Sequence, residues 1–122
     1  MSSKHTPGPW AYQEDSDAYT HIVRGSNNRF ICQLAQTTSA EIEANARLIA
    51  AAPELLGALS RAARETEQFL FEAWLVRVCP SGDVDAVQRQ WLESSDRLDF
   101  IEEWAEQIDA IAKATGETQC AS

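Results

Sequence analysis

A chain of 122 residues with 44% apolar residues and four tryptophans is long enough to bury a modest core as one domain, and too apolar for intrinsic disorder. No apolar run approaches the roughly 18–20 residues that span a bilayer, and no basic segment followed by an apolar one opens the sequence, so a soluble cytoplasmic protein without membrane contact is expected. The net charge of −9 is uneven: residues 1–37 sum to zero, residues 38–82 to −2, and residues 83–122, with three basic groups against ten acidic ones, to −7. An acidic field of that kind repels nucleic acid, excluding it as a direct ligand, and favours partners with basic surfaces.

The lead-in contains Pro7-Gly8-Pro9, which forbids helix and favours a turn. Trp10 and Tyr12 then alternate with Ala11 and Gln13 as in a half-buried strand, and Asp15-Ser16-Asp17 makes a turn. Tyr19–Arg24 is rich in β-formers, and Gly25-Ser26-Asn27-Asn28 is the clearest hairpin signal of the chain, because Gly and Asn tolerate left-handed backbone. With Arg29–Ala35 as a third strand, residues 9–35 form an antiparallel β-meander that needs a covered face.

Thr38 and Glu41 form a capping box at the start of a helix over 38–51, with Ala44, Leu48 and Ala51 or Ala52 sharing one face. Pro53 cannot continue that helix and suits the first turn of the next, over 53–78. There Leu56, Leu59, Ala63, Thr66, Leu70, Ala73 and Arg77 recur at helical spacing, with Leu55, Ala62, Phe69 and Val76 widening the stripe. Cys79-Pro80-Ser81-Gly82 breaks the pattern and Asp83 is an N-cap candidate. A last helix over 83–115 places Val84, Val87, Trp91, Leu98, Ile101 and Ile108 on one side, with Gly116 as C-cap and 116–122 as a tail. Ser94-Ser95-Asp96 interrupts this stripe and is able to cap a separate helix, although one continuous helix is the preferred reading. The expected fold is α+β: a single domain with a three-stranded meander, one short helix and a C-terminal antiparallel helical hairpin.

His5-Thr6-Pro7-Gly8-Pro9-Trp10, followed downstream by Ala44-Asn45-Ala46-Arg47-Leu48-Ile49-Ala50-Ala51-Ala52-Pro53-Glu54-Leu55-Leu56, resembles a group of small phage and prophage proteins. Those proteins open with a T-P-G-P-W turn and a short meander, and continue into a helix reading A-N-A-R-L-I-A-A-A-P-E-L-L. The resemblance covers about residues 5–59 and implies origin in a mobile genetic element, and so a bacterial host, more than an activity. It includes Asn45 and Arg47, for which a binding pair is the functional reading; the preferred structural reading is a loop bond for Asn45 and a solvent flank for Arg47.

No Gly-rich phosphate loop, nucleophile elbow or Cys/His pair with an orienting group occurs, so no enzyme and no cofactor are expected. Cys32, Cys79 and Cys120 are scattered and odd in number, which suits reduced thiols, and His5 and His21 lack neighbours at ligand spacing, so no metal site is expected. Asp96, Asp99, Glu103 and Glu106 follow 3, 4, 3 spacing and stack along one side of a helix, with Glu102 and Asp109 beside them. Such a row is able to occupy a basic groove on a host protein. A solvated outer face is the plain alternative for these carboxylates, and for the pairs Glu102-Glu103 and Asp96/Asp99. Phe71, Trp74 and Leu75 make their helix apolar nearly all round, and with Trp104 they suggest self-association, in the simplest case as a homodimer. The functional expectation is a phage or prophage accessory protein acting by stoichiometric protein binding. Its general character, without a shared motif, fits an anti-CRISPR-like inhibitor of a nucleic-acid-guided defence complex. The second reading is a homo-oligomeric structural or regulatory adaptor.

Overall fold

The computed structural model describes residues 4–14, 21–34 and 39–117. Strands β1 (Ala11–Glu14), β2 (His21–Arg24) and β3 (Phe30–Gln33) form one antiparallel sheet in the order β1-β2-β3. Helices α1 (Ser39–Val78), α2 (Val84–Leu92), α3 (Ser95–Glu103) and α4 (Ala105–Thr115) come after the sheet. The α+β class read from the sequence is the observed one. Contacts within the chain cluster into two compact units, residues 1–57 and residues 58–122.

The first unit is organised by its turns. Ser26–Asn28 forms a single 3-10 turn between β2 and β3, with Asn27 at φ 59° and Asn28 at φ 62°, the left-handed conformation that asparagine tolerates. Gly25 N–H donates to the Arg29 carbonyl at 2.7 Å and closes the hairpin. The N-terminal turn folds on itself and onto this hairpin. The Trp10 indole N–H donates to the Thr6 carbonyl at 2.9 Å, and the Ser26 hydroxyl lies 2.8 Å from the Gly8 carbonyl and 3.1 Å from that of Pro7. A Cβ on Gly25 would stand 2.7 Å from Thr6 Cγ2, so only glycine permits this approach. Among the described residues, Val23, Ile42 and Ala46 are the buried apolar ones of this unit.

Helix α1 corrects the expected boundary at Pro53. The proline lies inside one helix of 40 residues. It deprives the Ile49 carbonyl of its usual donor, a local cost of about 3 kcal/mol in a helix interior. Its ring is half-buried against Gly8, close enough that a Cβ there would stand 3.1 Å from Pro53 Cβ. The capping-box residue Thr38, the turn at 15–17 and the tail from 118 onward lie outside the described residues.

The expected helix over 83–115 is three helices. Asp83 caps α2 as anticipated, its Oδ1 accepting from Ala86 N–H at 2.9 Å. Ser94 is extended (φ −70°, ψ 149°) and its Oγ accepts from Arg97 N–H at 3.2 Å, so it starts α3 afresh. The break at Trp104 is milder. Its N–H still donates to the Phe100 carbonyl at 2.8 Å and its carbonyl accepts from Ile108 N–H at 2.9 Å, so helical bonding continues through it. Gly116 ends α4 in the left-handed conformation, as expected. Recapping at Ser94 changes which side of α3 faces inward: Phe100 is buried, whereas Leu98, expected inward, is exposed. Val84, at the start of α2, is also exposed.

Gly25→Ala is expected to destabilise the protein by about 1–3 kcal/mol, the usual cost of forcing a methyl into filled space. Urea unfolding followed by tryptophan fluorescence measures it.

Candidate functional site

The helical unit is built on three aromatic rings. Phe71 and Trp74 lie one turn apart on α1, and Trp91 of α2 meets both, edge-on to Phe71 at 5.3 Å and tilted against Trp74 at 5.5 Å. Trp74 and Trp91 are buried, and Phe71 and Leu75 half-buried. Trp104 is half-buried and stacks on buried Phe100 at 5.7 Å. Of the four residues assigned to self-association, Phe71 and Trp74 pack on Trp91 within this unit, and Trp104 packs on Phe100. The sequence made Phe71 and Trp74 look surplus because the ring that meets them, Trp91, is on α2. A cleft of about 230 Å³ opens beside the cluster, lined by Arg64, Glu67, Gln68, Phe71, Gln88 and Trp91. It is smaller than the roughly 300–1,000 Å³ of ordinary small-molecule sites.

The acidic row is divided. Asp96 is half-buried and its Oδ1 accepts from Arg77 Nη2 at 2.7 Å. This bond, and then the charge of the carboxylate, raise the Arg77 guanidinium above its ordinary pKa. Asp109 pairs with Lys113 at 3.1 Å, one turn away. Both are engaged within the chain. Asp99, Glu102, Glu103 and Glu106 are exposed, and none has an ion-pair partner among the described residues. Glu103 follows Asp99 by four positions, and Glu106 follows Glu102 by four and Glu103 by three, across the turn where helical bonding continues. The site that remains is four carboxylates over about 10 Å of helix. The unit bearing them, residues 58–122, holds six basic and thirteen acidic groups, 6 − 13 = −7 of the total of −9.

The other candidates are spread out. Arg47 is exposed and paired with Glu43, and Asn45 is exposed. Cys32 is half-buried in β3, Cys79 is exposed, and Cys120 lies outside the described residues. His21 bonds to the Tyr12 hydroxyl through Nδ1 at 2.7 Å. No group of three or more His, Cys, Asp or Glu among the described residues is placed to hold a metal ion. Nor is any described helix long and apolar enough to cross a membrane.

Trp74→Ala is expected to cost about 3–5 kcal/mol, as for a large aromatic removed from a core, and to lower the melting temperature at every protein concentration. A residue serving only an interface between copies would show its effect only where the copies associate.

A family model described as Salmonella phage P22 protein Y8K6 matches residues 1–118, and the chain belongs to that family of phage proteins. No curated protein and no solved structure matches it.

Proposed function

From that membership we propose that the chain is a phage accessory protein acting by stoichiometric, non-catalytic binding to a host protein with a basic surface. The observation that carries the reading is the set of exposed carboxylates without ion-pair partners among the described residues, Asp99, Glu102, Glu103 and Glu106, on a unit of charge −7. Like charges three and four residues apart on a helix cost a few tenths of a kcal/mol per pair, and interleaved lysines would remove that cost. Left as they are, the carboxylates project a negative field that steers a cationic surface into contact and selects against acidic competitors. A groove that normally holds a nucleic-acid backbone is one such cationic surface. The narrower form of the proposal is therefore an inhibitor of a nucleic-acid-guided defence complex in the cytoplasm of the host. That narrower form rests on charge alone.

The combined variant Asp99→Asn, Glu102→Gln, Glu103→Gln, Glu106→Gln is expected to keep the fold and melt at the same temperature or slightly higher. Capture of the host partner should fall about tenfold or more, and wild-type capture should weaken steeply as salt rises, since exposed charges are screened beyond about 8–10 Å. Nuclease treatment of the lysate before capture separates a nucleic-acid-guided target from other basic proteins. Undiminished capture by the fourfold variant would make these carboxylates a solvated face only.

A further inference from the structure

The large apolar side chains that α1 leaves in water, Leu48, Leu55, Phe69 and Val76, where periodicity predicts an inward side, are not among those lining the cleft beside the aromatic cluster. That cleft is built by two helices of one unit. Arg64, Glu67, Gln68 and Phe71 stand at i, i+3, i+4 and i+7 of α1 and so share one face, and Gln88 and Trp91 stand one turn apart on α2. Its walls carry hydrogen-bond donors with nothing to donate to. Trp91 is 2% exposed, and its indole N–H meets no acceptor among the described residues although it is not sealed from water. An indole N–H in so buried a ring ordinarily has a partner. Trp91 lines the cleft, so an acceptor would reach that N–H there. Among the described residues the Gln88 amide has no hydrogen bond and the Arg64 guanidinium no ion-pair partner. The Glu67 carboxylate is already engaged, accepting from Arg97 Nε at 3.5 Å.

We propose that this cleft binds a small aromatic carboxylate, its ring against Phe71 and its carboxylate taken by the donors of Arg64 and Trp91. Three properties select that chemistry. The first is the aromatic wall, which favours a flat ring over an aliphatic body. The second is charge. Arg97 offsets Glu67, which leaves Arg64 as the uncompensated charge of the lining, a positive one on a unit that sums to −7. A guanidinium takes a carboxylate through two parallel hydrogen bonds, a geometry that other anions and neutral groups match less well. The third is size: about 230 Å³ admits one ring with a short acidic arm and turns away larger ligands. The inference is independent of the carboxylates on α3 and α4.

Proton–nitrogen NMR of the whole chain tests it, reading the Trp91 indole N–H, assigned from its own ring protons. Phenylacetate should shift that resonance with half-saturation at about a millimolar or below, the range open to a ligand of about ten heavy atoms. Phenylacetamide, phenethylammonium and acetate remove the charge, reverse it or remove the ring, and each should bind about tenfold more weakly or worse. Arg64→Gln should weaken phenylacetate by about the same factor with unchanged circular dichroism, because Arg64 is exposed. Arg61→Gln, one turn away and outside the cleft, should leave binding unaltered. The same ring and carboxylate occur at the end of a peptide, so Ala-Ala-Phe with a free terminus is compared with phenylacetate. Tighter binding of the peptide makes a chain end the ligand, equal or weaker binding a free acid, and both uphold the site. No shift of the Trp91 resonance at any soluble phenylacetate concentration, equal binding of the amide or the amine, or undiminished binding by Arg64→Gln each overturns the proposal.

Discussion

A single helix of 40 residues can bury only part of its circumference against its own chain, and this limit governs the rest of the molecule. Ile42 and Ala46 of α1 are buried in the unit with the sheet, and Trp74 of α1 is buried in the unit with α2–α4. Pro53 lies in the first of these stretches, where its ring is packed against Gly8. A proline on an exposed face would have nothing to offset the lost hydrogen bond. Here the residue that weakens the helix locally is also packed by the turn at the chain's start.

The helical unit shows how a small, strongly acidic segment stays folded. Its core depends on aromatic rings, Phe71, Trp74, Trp91 and Phe100, which bury large areas per residue. Caps at Asp83 and Ser94 and the pairs Arg77–Asp96 and Arg97–Glu67 hold the helices where the rings meet. The loop between α1 and α2 is pinned by Gln90, whose amide donates to the Ser81 carbonyl at 2.9 Å. Charge that these contacts do not use is left on the outer surface of α3 and α4. Folding and charge display are thereby assigned to different residues of the same short helices.

Features that depend on one residue and its near neighbours were legible in the sequence. The Gly25–Asn28 turn, the Asp83 cap, the Gly116 stop and the α+β class all arise from local backbone preferences. Those needing knowledge of what lies opposite were not. Leu48, Leu55 and Phe69 have the same spacing as Ile49, Leu56 and Leu70, displaced by one position, so periodicity alone does not say which set faces inward. Trp74 read as surplus for the same reason, because its cover comes from Trp91. At Ser94 a polar run was legible as a cap candidate, but the reorientation that turns Leu98 outward and Phe100 inward is a tertiary outcome. Of the acidic row, spacing could place six carboxylates together and set Lys113 one turn from Asp109, but only the fold shows that Arg77 engages Asp96.

The contact between Gly8 and Pro53 also carries an entropic cost set by their separation in sequence. Most contacts of the helical unit join residues within a turn or between successive helices, and such contacts form early at small entropic cost. Bringing Gly8 to Pro53 closes a loop of about 45 residues, for which the length-dependent entropy alone is about 3 kcal/mol. Until that loop closes, the ring of Pro53 has no packing partner and the stretch of α1 around it is the weakest part of the helix. The turn at the N-terminus is therefore the long-range support of this stretch of α1, and a chain that has lost it would be expected to keep its aromatic helical unit while α1 frays ahead of Pro53.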